Sequence, residues 1–297
     1  MAEACIRAEG LSYTYLPGTP LAQTALRNIG FTLDAGRSLG IIGATGSGKS
    51  TLLQHFNGLI LPQQGSLRVA GHRLHERGLD LKRLRRDVGL LFQRPEDQLF
   101  EHYLTDDIAY GPLAFGWDKQ LIKEKIKRAM KTVGLDFDRY KDRTVRGLSG
   151  GERRKTAIAG VLVMEPRLLL LDEVTAGLDP SSREEIRRLL LDLKNSGTLL
   201  VLSDHDMENI RRLCDDILIL ENGSRRFYGS TWEAFRFIAD GSGPGRAGLP
   251  PMAALTLDLQ HRGLLANDVF PSDSGELIAL LREKIGTKPP IKDKAGE

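Results

Sequence analysis

The run Gly43-Ala-Thr-Gly-Ser-Gly-Lys-Ser-Thr51 constrains this chain more than any other feature of its 297 residues. It follows an apolar stretch at residues 39–42 and opens onto a helix-compatible sequence, the context a phosphate-cradling P-loop requires. Successive backbone N–H groups must turn inward toward phosphate oxygens, and glycines leave out the Cβ atoms that would obstruct them. The helix starting near Lys49 adds the positive end of its dipole. The pattern therefore predicts phosphate contacts from Gly43, Ala44, Thr45, Gly46, Ser47, Gly48, Lys49, Ser50 and Thr51. Lys49 would reach the β- and γ-phosphates of ATP, and the Ser50 hydroxyl would coordinate Mg²⁺.

Short apolar runs at residues 39–42, 88–92, 168–171, 199–202 and 217–220 lack polar alternation, as strands buried on both faces do. They alternate with longer helix-like segments, which predicts an α/β fold with a parallel sheet flanked by helices. Residues 94–165 interrupt the series with helical periodicity: Ile122, Ile126, Ala129, Met130 and Val133 share one face, with lysines elsewhere. We expect a helical subdomain inserted there. After Gly241 a dense series of glycines and prolines excludes regular structure, and beyond it residues 252–265 and 275–285 suit two short amphipathic helices. The expected organisation is a nucleotide-binding domain over residues 1–235 and a small C-terminal extension over 236–297, its polar tail disordered from 286.

Leu168-Leu-Leu-Leu-Asp172-Glu173 is an apolar strand ending in two carboxylates. Asp172 is placed to hold the Mg²⁺ shell, and Glu173 to point at a water in line with the γ-phosphate, the division of labour that phosphoryl transfer needs. Gly147-Leu-Ser-Gly-Gly-Glu152 precedes a helical stretch and would present Ser149, Gly150 and Gly151 as a second anion site at a helix N-terminus. One nucleotide does not need two such helix ends from one chain. The economical reading is that this site caps the γ-phosphate on another copy, so that hydrolysis requires a dimer.

Composition narrows the alternatives. With 41% hydrophobic and 27% charged residues, the chain falls near globular averages. No apolar run approaches the ~20 residues of a membrane span, and residues 1–13 lack the apolar core of an export signal. Cys5 and Cys214 stand far apart without metal-ligand spacing, as thiols of a reducing compartment would. A net charge of +3 is too small to imply nucleic acid, and the basic clusters at 82–86 and 153–155 read as solvated helix faces. His72 and His75 read as surface histidines of a polar turn, and Trp117 and Trp232 as packing or surface aromatics rather than cofactor platforms.

Together these landmarks resemble, in order, those of an ATP-binding cassette (ABC) ATPase subunit over about residues 4–235. They are the Gly43–Thr51 loop, Gln93 after an apolar strand, Leu148 to Glu152, Leu168 to Glu173, Gly177-Leu-Asp179-Pro, and His205. The resemblance implies a P-loop domain with a mixed sheet. It also implies that Gln93 contacts Mg²⁺ or the attacking water, Asp179 communicates across the dimer, and His205 touches the γ-phosphate. Tyr15 matches the aromatic that stacks on adenine, with Tyr13 as the competing candidate. Asp204 departs from the family, most of whose members have Ser or Thr before the histidine. It could favour a protonated His205 or face solvent, and the solvent-facing reading is the one adopted.

Phe92-Gln-Arg-Pro-Glu-Asp-Gln-Leu-Phe100 and Asp107-Ile-Ala-Tyr-Gly-Pro112 are similar to the energy-coupling factor and cobalt/nickel-type importer ATPases. That similarity implies a peripheral ATPase at the cytoplasmic face of the cell membrane. It would pair with an equal or related ATPase subunit and dock on an integral membrane coupling protein through residues 94–112. Together with a substrate-binding membrane component it would power uptake of a vitamin or metal ion. The alternatives are another ABC transporter ATPase, or an ABC ATPase of DNA repair or ribosomes, which usually carries a long coiled-coil insertion or two cassettes in one chain.

Overall fold

The computed structural model describes residues 5–241, 248–271 and 273–286. The chain folds as two units, Met1–Thr231 and Trp232–Glu297. The first unit opens with β1 (Ile6–Tyr15) and β2 (Gln23–Leu33), followed by β3 (Leu39–Ile42) and helix α1 (Lys49–Phe56). Next come β4 (Gln64–Val69), β5 (His72–Arg73), α2 (Leu81–Asp87) and β6 (Val88–Leu91). Then α3 (Leu104–Ala114), α4 (Lys119–Thr132), α5 (Phe137–Tyr140) and α6 (Gly150–Leu162) run without an intervening strand. The unit continues with β7 (Leu168–Asp172), α7 (Pro180–Asn195), β8 (Leu199–Ser203), α8 (Met207–Leu213), β9 (Asp216–Glu221) and β10 (Ser224–Ser230).

Six strands form one sheet in the order β10-β9-β3-β8-β7-β6, parallel except for the antiparallel β10. Its five parallel strands lie over the five apolar runs legible in the sequence. The other four strands build a separate antiparallel sheet, β2-β1-β4-β5, absent from the sequence expectation. Its signal is alternation: Ile6, Ala8 and Leu11 are buried, whereas Arg7 and Glu9 face solvent. One apolar cluster joins both sheets to α1, whose Leu52, Leu53 and Phe56 are fully buried. Each such side chain removed from water contributes about 1.5–3 kcal/mol. α1 and the loop before it are therefore seated on a rigid double-sided core.

Three devices set the site's neighbours. Arg37 makes a bidentate pair with Asp216, both bonds 2.6 Å, which fastens the entry of β3 to the start of β9. Asp172 lies level with Ser203 where β7 and β8 pair in parallel, so the residues that follow, Glu173 and Asp204, leave the sheet side by side. Asp118 caps α4 by accepting from the N–H groups of Gln120 and Leu121, and the buried face of that helix carries Ile122, Ile126, Ala129 and Met130.

The second unit holds α9 (Thr231–Ala239) from Trp232 onward, α10 (Pro251–His261) and α11 (Ser274–Gly286). Trp232 stacks on Phe270 at 4.8 Å, Arg236 lies over the same ring, and the Gln260 amide donates to the Val269 carbonyl at 2.8 Å. The tail expected to be disordered falls, beyond residue 286, outside the described residues.

Candidate nucleotide site

The segment between β3 and α1 carries the phosphate cradle. Gly48 has φ +103°, and a Cβ there would lie 2.6 Å from the Ala25 carbonyl oxygen. At Gly43 a Cβ would lie 2.3 Å from the Leu220 carbonyl oxygen. Only glycine closes the loop this tightly against β2 and β9. Gly48 caps α1 without a side-chain bond, so the first-turn N–H groups of the helix keep their donors for an anion.

Lys49 is buried, and its ammonium donates to the carbonyls of Gly43 (2.9 Å) and Ala44 (3.1 Å). Among the described residues no carboxylate pairs with it. A buried cation held only by carbonyl dipoles is costly unless an anion completes its shell. Among the described residues the buried Ser47 hydroxyl has no hydrogen-bond partner. These features fit a polyphosphate.

The cleft over this loop has a volume of about 340 Å³ and is lined by Tyr15, Gln23, Ala25, Thr45, Gly46, Gly48, Lys49, Ser50, Thr51, Gln93, Glu173 and His205. Tyr15 is fixed by a 3.1 Å hydroxyl contact with Thr51. Tyr13 packs edge-on against Tyr15 and the buried His55 instead and does not line the cleft. Opposite the cradle, Glu173 is gripped at both oxygens: His205 Nε2 lies 2.9 Å from Oε1, and Gln93 Nε2 donates to Oε2 at 3.1 Å. Glu173 has φ +50°, a left-handed backbone uncommon for a side chain of this size. Its N–H donates to the Ser203 carbonyl at 2.8 Å, which holds the kink in place.

Three comparisons bear on this geometry. The family model for ABC transporters matches residues 26–176. An energy-coupling factor transporter ATP-binding protein, EcfA2, of Symbiobacterium thermophilum is 42% identical over 92% of this chain and 94% of its own length. The chain belongs to the ABC transporter ATP-binding proteins, in their energy-coupling factor branch.

CbiO1 of Clostridium perfringens, part of the ABC transporter complex cbiONQ, superposes with TM-score 0.70 at 31% identity, covering 88% of this chain and 98% of that one. The ATP-binding cassette MJ0796, in a dimeric post-hydrolysis state with ADP and Pi, gives TM-score 0.67 at 25% identity, covering 76% and 98%. This ABC protein binds ATP and is an ATPase, with the mixed α/β fold of the cassette.

Gly43, Ala44 and Ser47 of the loop do not line the cleft, and neither do four residues of the ABC pattern farther along the chain: Ser149, Gly150, Gly151 and Asp179. These last four are exposed. Ser149 caps α6 in a reciprocal box in which its hydroxyl accepts from the Glu152 N–H (3.3 Å) and its N–H donates to Glu152 Oε2 (2.8 Å). Tyr140 donates to the other Glu152 oxygen at 2.6 Å, and with Ser149 it holds that carboxyl down at about 2. Asp179 caps α7, accepting from the Ser181 and Ser182 N–H groups and the Ser182 hydroxyl, which keep its carboxyl below the ordinary range. Asp172 ends β7 and does not line the cleft either.

Two expectations need correction. Asp204 does not face solvent: only 7% exposed, its carboxylate accepts from the Asp206 N–H (2.8 Å), the Asn209 amide (2.7 Å) and the Thr175 hydroxyl (3.1 Å). Three donors meet the cost of burying it, two of them within five residues along the chain and the third, Thr175, 29 positions away. His72 is less exposed than a surface histidine, being half-buried with its Nε2 2.8 Å from Asp87 Oδ2, whereas His75 is exposed as expected. Sequence reasoning also passed over Thr175, Asn209, Tyr140 and His55. Their short-range context is ordinary, and only the tertiary fold joins them to the site.

Proposed function

We propose that this ATPase is the energising subunit of a membrane importer for a vitamin or a cobalt/nickel-type metal ion. ATP-driven closure of a dimer, with a second ABC ATPase subunit as partner, would be its power stroke. One observation carries this reading: Lys49, Gln93, Glu173 and His205 share a cleft from which Ser149, Gly150, Gly151 and Asp179 of the same chain are missing. Their exposed position suits a nucleotide bound on the partner's P-loop, and it supports a composite site. Relatives named as energy-coupling factor transporter proteins support the importer reading.

Within that site the P-loop N–H groups and Lys49 would bind the phosphates, and Tyr15 would stack on adenine. Glu173 would accept a hydrogen bond from the attacking water, its carboxylate aimed by Gln93 and His205. His205 would also touch the γ-phosphate. Ser50, Gln93 and Asp172 offer hydroxyl, amide and carboxylate oxygens, a donor set that suits a magnesium ion sharing its shell with phosphates. Bound there, Mg²⁺ would neutralise charge on the phosphate oxygens.

No helix among the described residues is long and apolar enough to cross a membrane. The reading therefore assigns the solute pathway to other polypeptides and this chain to the cytoplasmic membrane face. An apolar groove of about 250 Å³, lined by Leu59, Phe92, Gln98, Val161 and Met164 among others, borders the segment we expect to dock on the membrane coupling protein. Phe100, Tyr110 and Leu113 are exposed nearby in sequence. Affinity purification of the tagged chain from detergent-solubilised membranes tests the reading. It should recover a second ATPase subunit and an integral membrane protein with its solute-binding component. Recovery of the ATPase without any integral membrane protein would overturn it.

A further inference from the structure

The buried Asp204 carboxylate sits where no solvent-exposed function needs it. Its Oδ1 accepts from the N–H of Asp206 and so clamps the turn whose middle residue is His205. Its Oδ2 accepts from Thr175, two residues past Glu173, and from the fully buried Asn209 on α8. Asn209 bonds Thr175 as well (2.9 Å) and accepts from Arg187 of α7 at 2.6 Å. Thr175, Asp204, Asn209 and Arg187 are each under a tenth exposed, so the bonds among them form in a low-dielectric interior where they are strong and geometrically exacting.

This network joins the two segments that present Glu173 and His205. Glu173 stands in a left-handed conformation, which survives only where its surroundings over-determine it. The backbone tie from Glu173 to Ser203 acts on one side of the kink and the Thr175–Asp204 bond on the other. We infer that Asp204 is a positioning residue, whose buried carboxylate locks the His205 turn to the segment after Glu173 and so sets the Glu173–His205 contact. A serine hydroxyl at this position is too short to clamp the turn and receive both Thr175 and Asn209 at once. The inference rests on the reading of Glu173 as the residue that holds the attacking water.

The test uses the full chain assembled with its partner ATPase subunit and compares Thr175→Val, Thr175→Ser and Asp204→Asn. Valine keeps the shape of Thr175 without its hydroxyl, and serine keeps the hydroxyl. Asparagine turns one acceptor of residue 204 into a donor, which then faces either the Asp206 N–H or the Thr175 and Asn209 donors, depending on how the amide turns. A displacement of the order of 1 Å at a reacting group costs up to ~10²-fold, so Thr175→Val and Asp204→Asn should each lower kcat by about 10-fold or more. The KM for ATP should stay within about twofold, because the phosphate cradle is untouched. Thr175→Ser should restore kcat, and the double variant should be no worse than the weaker single one.

Wild-type kcat in Thr175→Val, or equal impairment by serine and valine, would overturn the inference. If Asp204→Asn does not fold, the valine and serine pair decides alone. Glu173→Gln run in parallel separates the two levels. Turnover retained there defeats the catalytic reading itself, whereas turnover lost there and normal in Thr175→Val defeats only the positioning role.

Discussion

Replacing Glu173 with glutamine is the most direct probe of the cleft's chemistry, because the structure predicts that little else changes. The carboxylate now accepts one bond from Gln93 Nε2 and faces His205 Nε2 at its other oxygen. A glutamine at 173 keeps its carbonyl toward His205 and turns its amide toward Gln93. Gln93 can reverse its own amide and accept instead of donate, so both contacts survive. The backbone kink survives too, since it is held by main-chain bonds to Ser203 and Ala176.

What disappears is the negative charge and its basicity. Loss of a general base costs typically 10²- to 10⁴-fold, or about 2.7–5.4 kcal/mol of barrier at ~1.36 kcal/mol per factor of ten. ATP affinity should stay within about threefold, because Lys49 and the loop N–H groups are unaltered. Steady-state phosphate release measures the first quantity and fluorescent-nucleotide titration the second. Hydrolysis within threefold of wild type would refute the assignment, and so would a loss of affinity matching the loss of turnover.

Two further outcomes are expected. In a dimer of identical chains, mixing Ser149→Arg with Lys49→Ala subunits should recover up to about a quarter of wild-type activity, since half the dimers then hold one intact composite site; dimers that form without recovery would exclude sharing of the site. His55 is buried beneath the cleft with Nδ1 2.7 Å from the Thr51 carbonyl, and burial pushes its pKa below the usual 6.5. Below that value the unfolded chain takes up a proton that the folded chain refuses, so stability falls as pH drops from 6.5 toward the depressed folded value. Thermal unfolding should show this slope in wild type but not in His55→Gln, and equal slopes would refute it.

The P-loop, the paired carboxylates and the capped signature helix were legible because each is a short-range device. A glycine-lined turn, a strand end and a helix N-terminus bring their chemistry together within about ten residues, so spacing alone reports the geometry. The five strands of the main sheet were legible for a related reason, since burial on both faces leaves continuous apolar runs. The antiparallel sheet was less so. Its alternation in β1 is broken by bulges near Gly10, and β2 pairs with it across register shifts.

What only the tertiary structure decided is how the separate segments meet. Nothing local brings Gln93 and His205 onto the two oxygens of Glu173; parallel pairing of β6, β7 and β8 does so by delivering the three loops to one end of the sheet. Asp204 shows the difference most clearly. Beside an exposed histidine a carboxylate reads as solvated, yet the turn folds the donors of Asp206 and Asn209 back onto it and Thr175, 29 positions away, arrives with a third, which makes burial favourable. Solvation is a property of the assembled neighbourhood, and a residue's sequence neighbours are too few to define it.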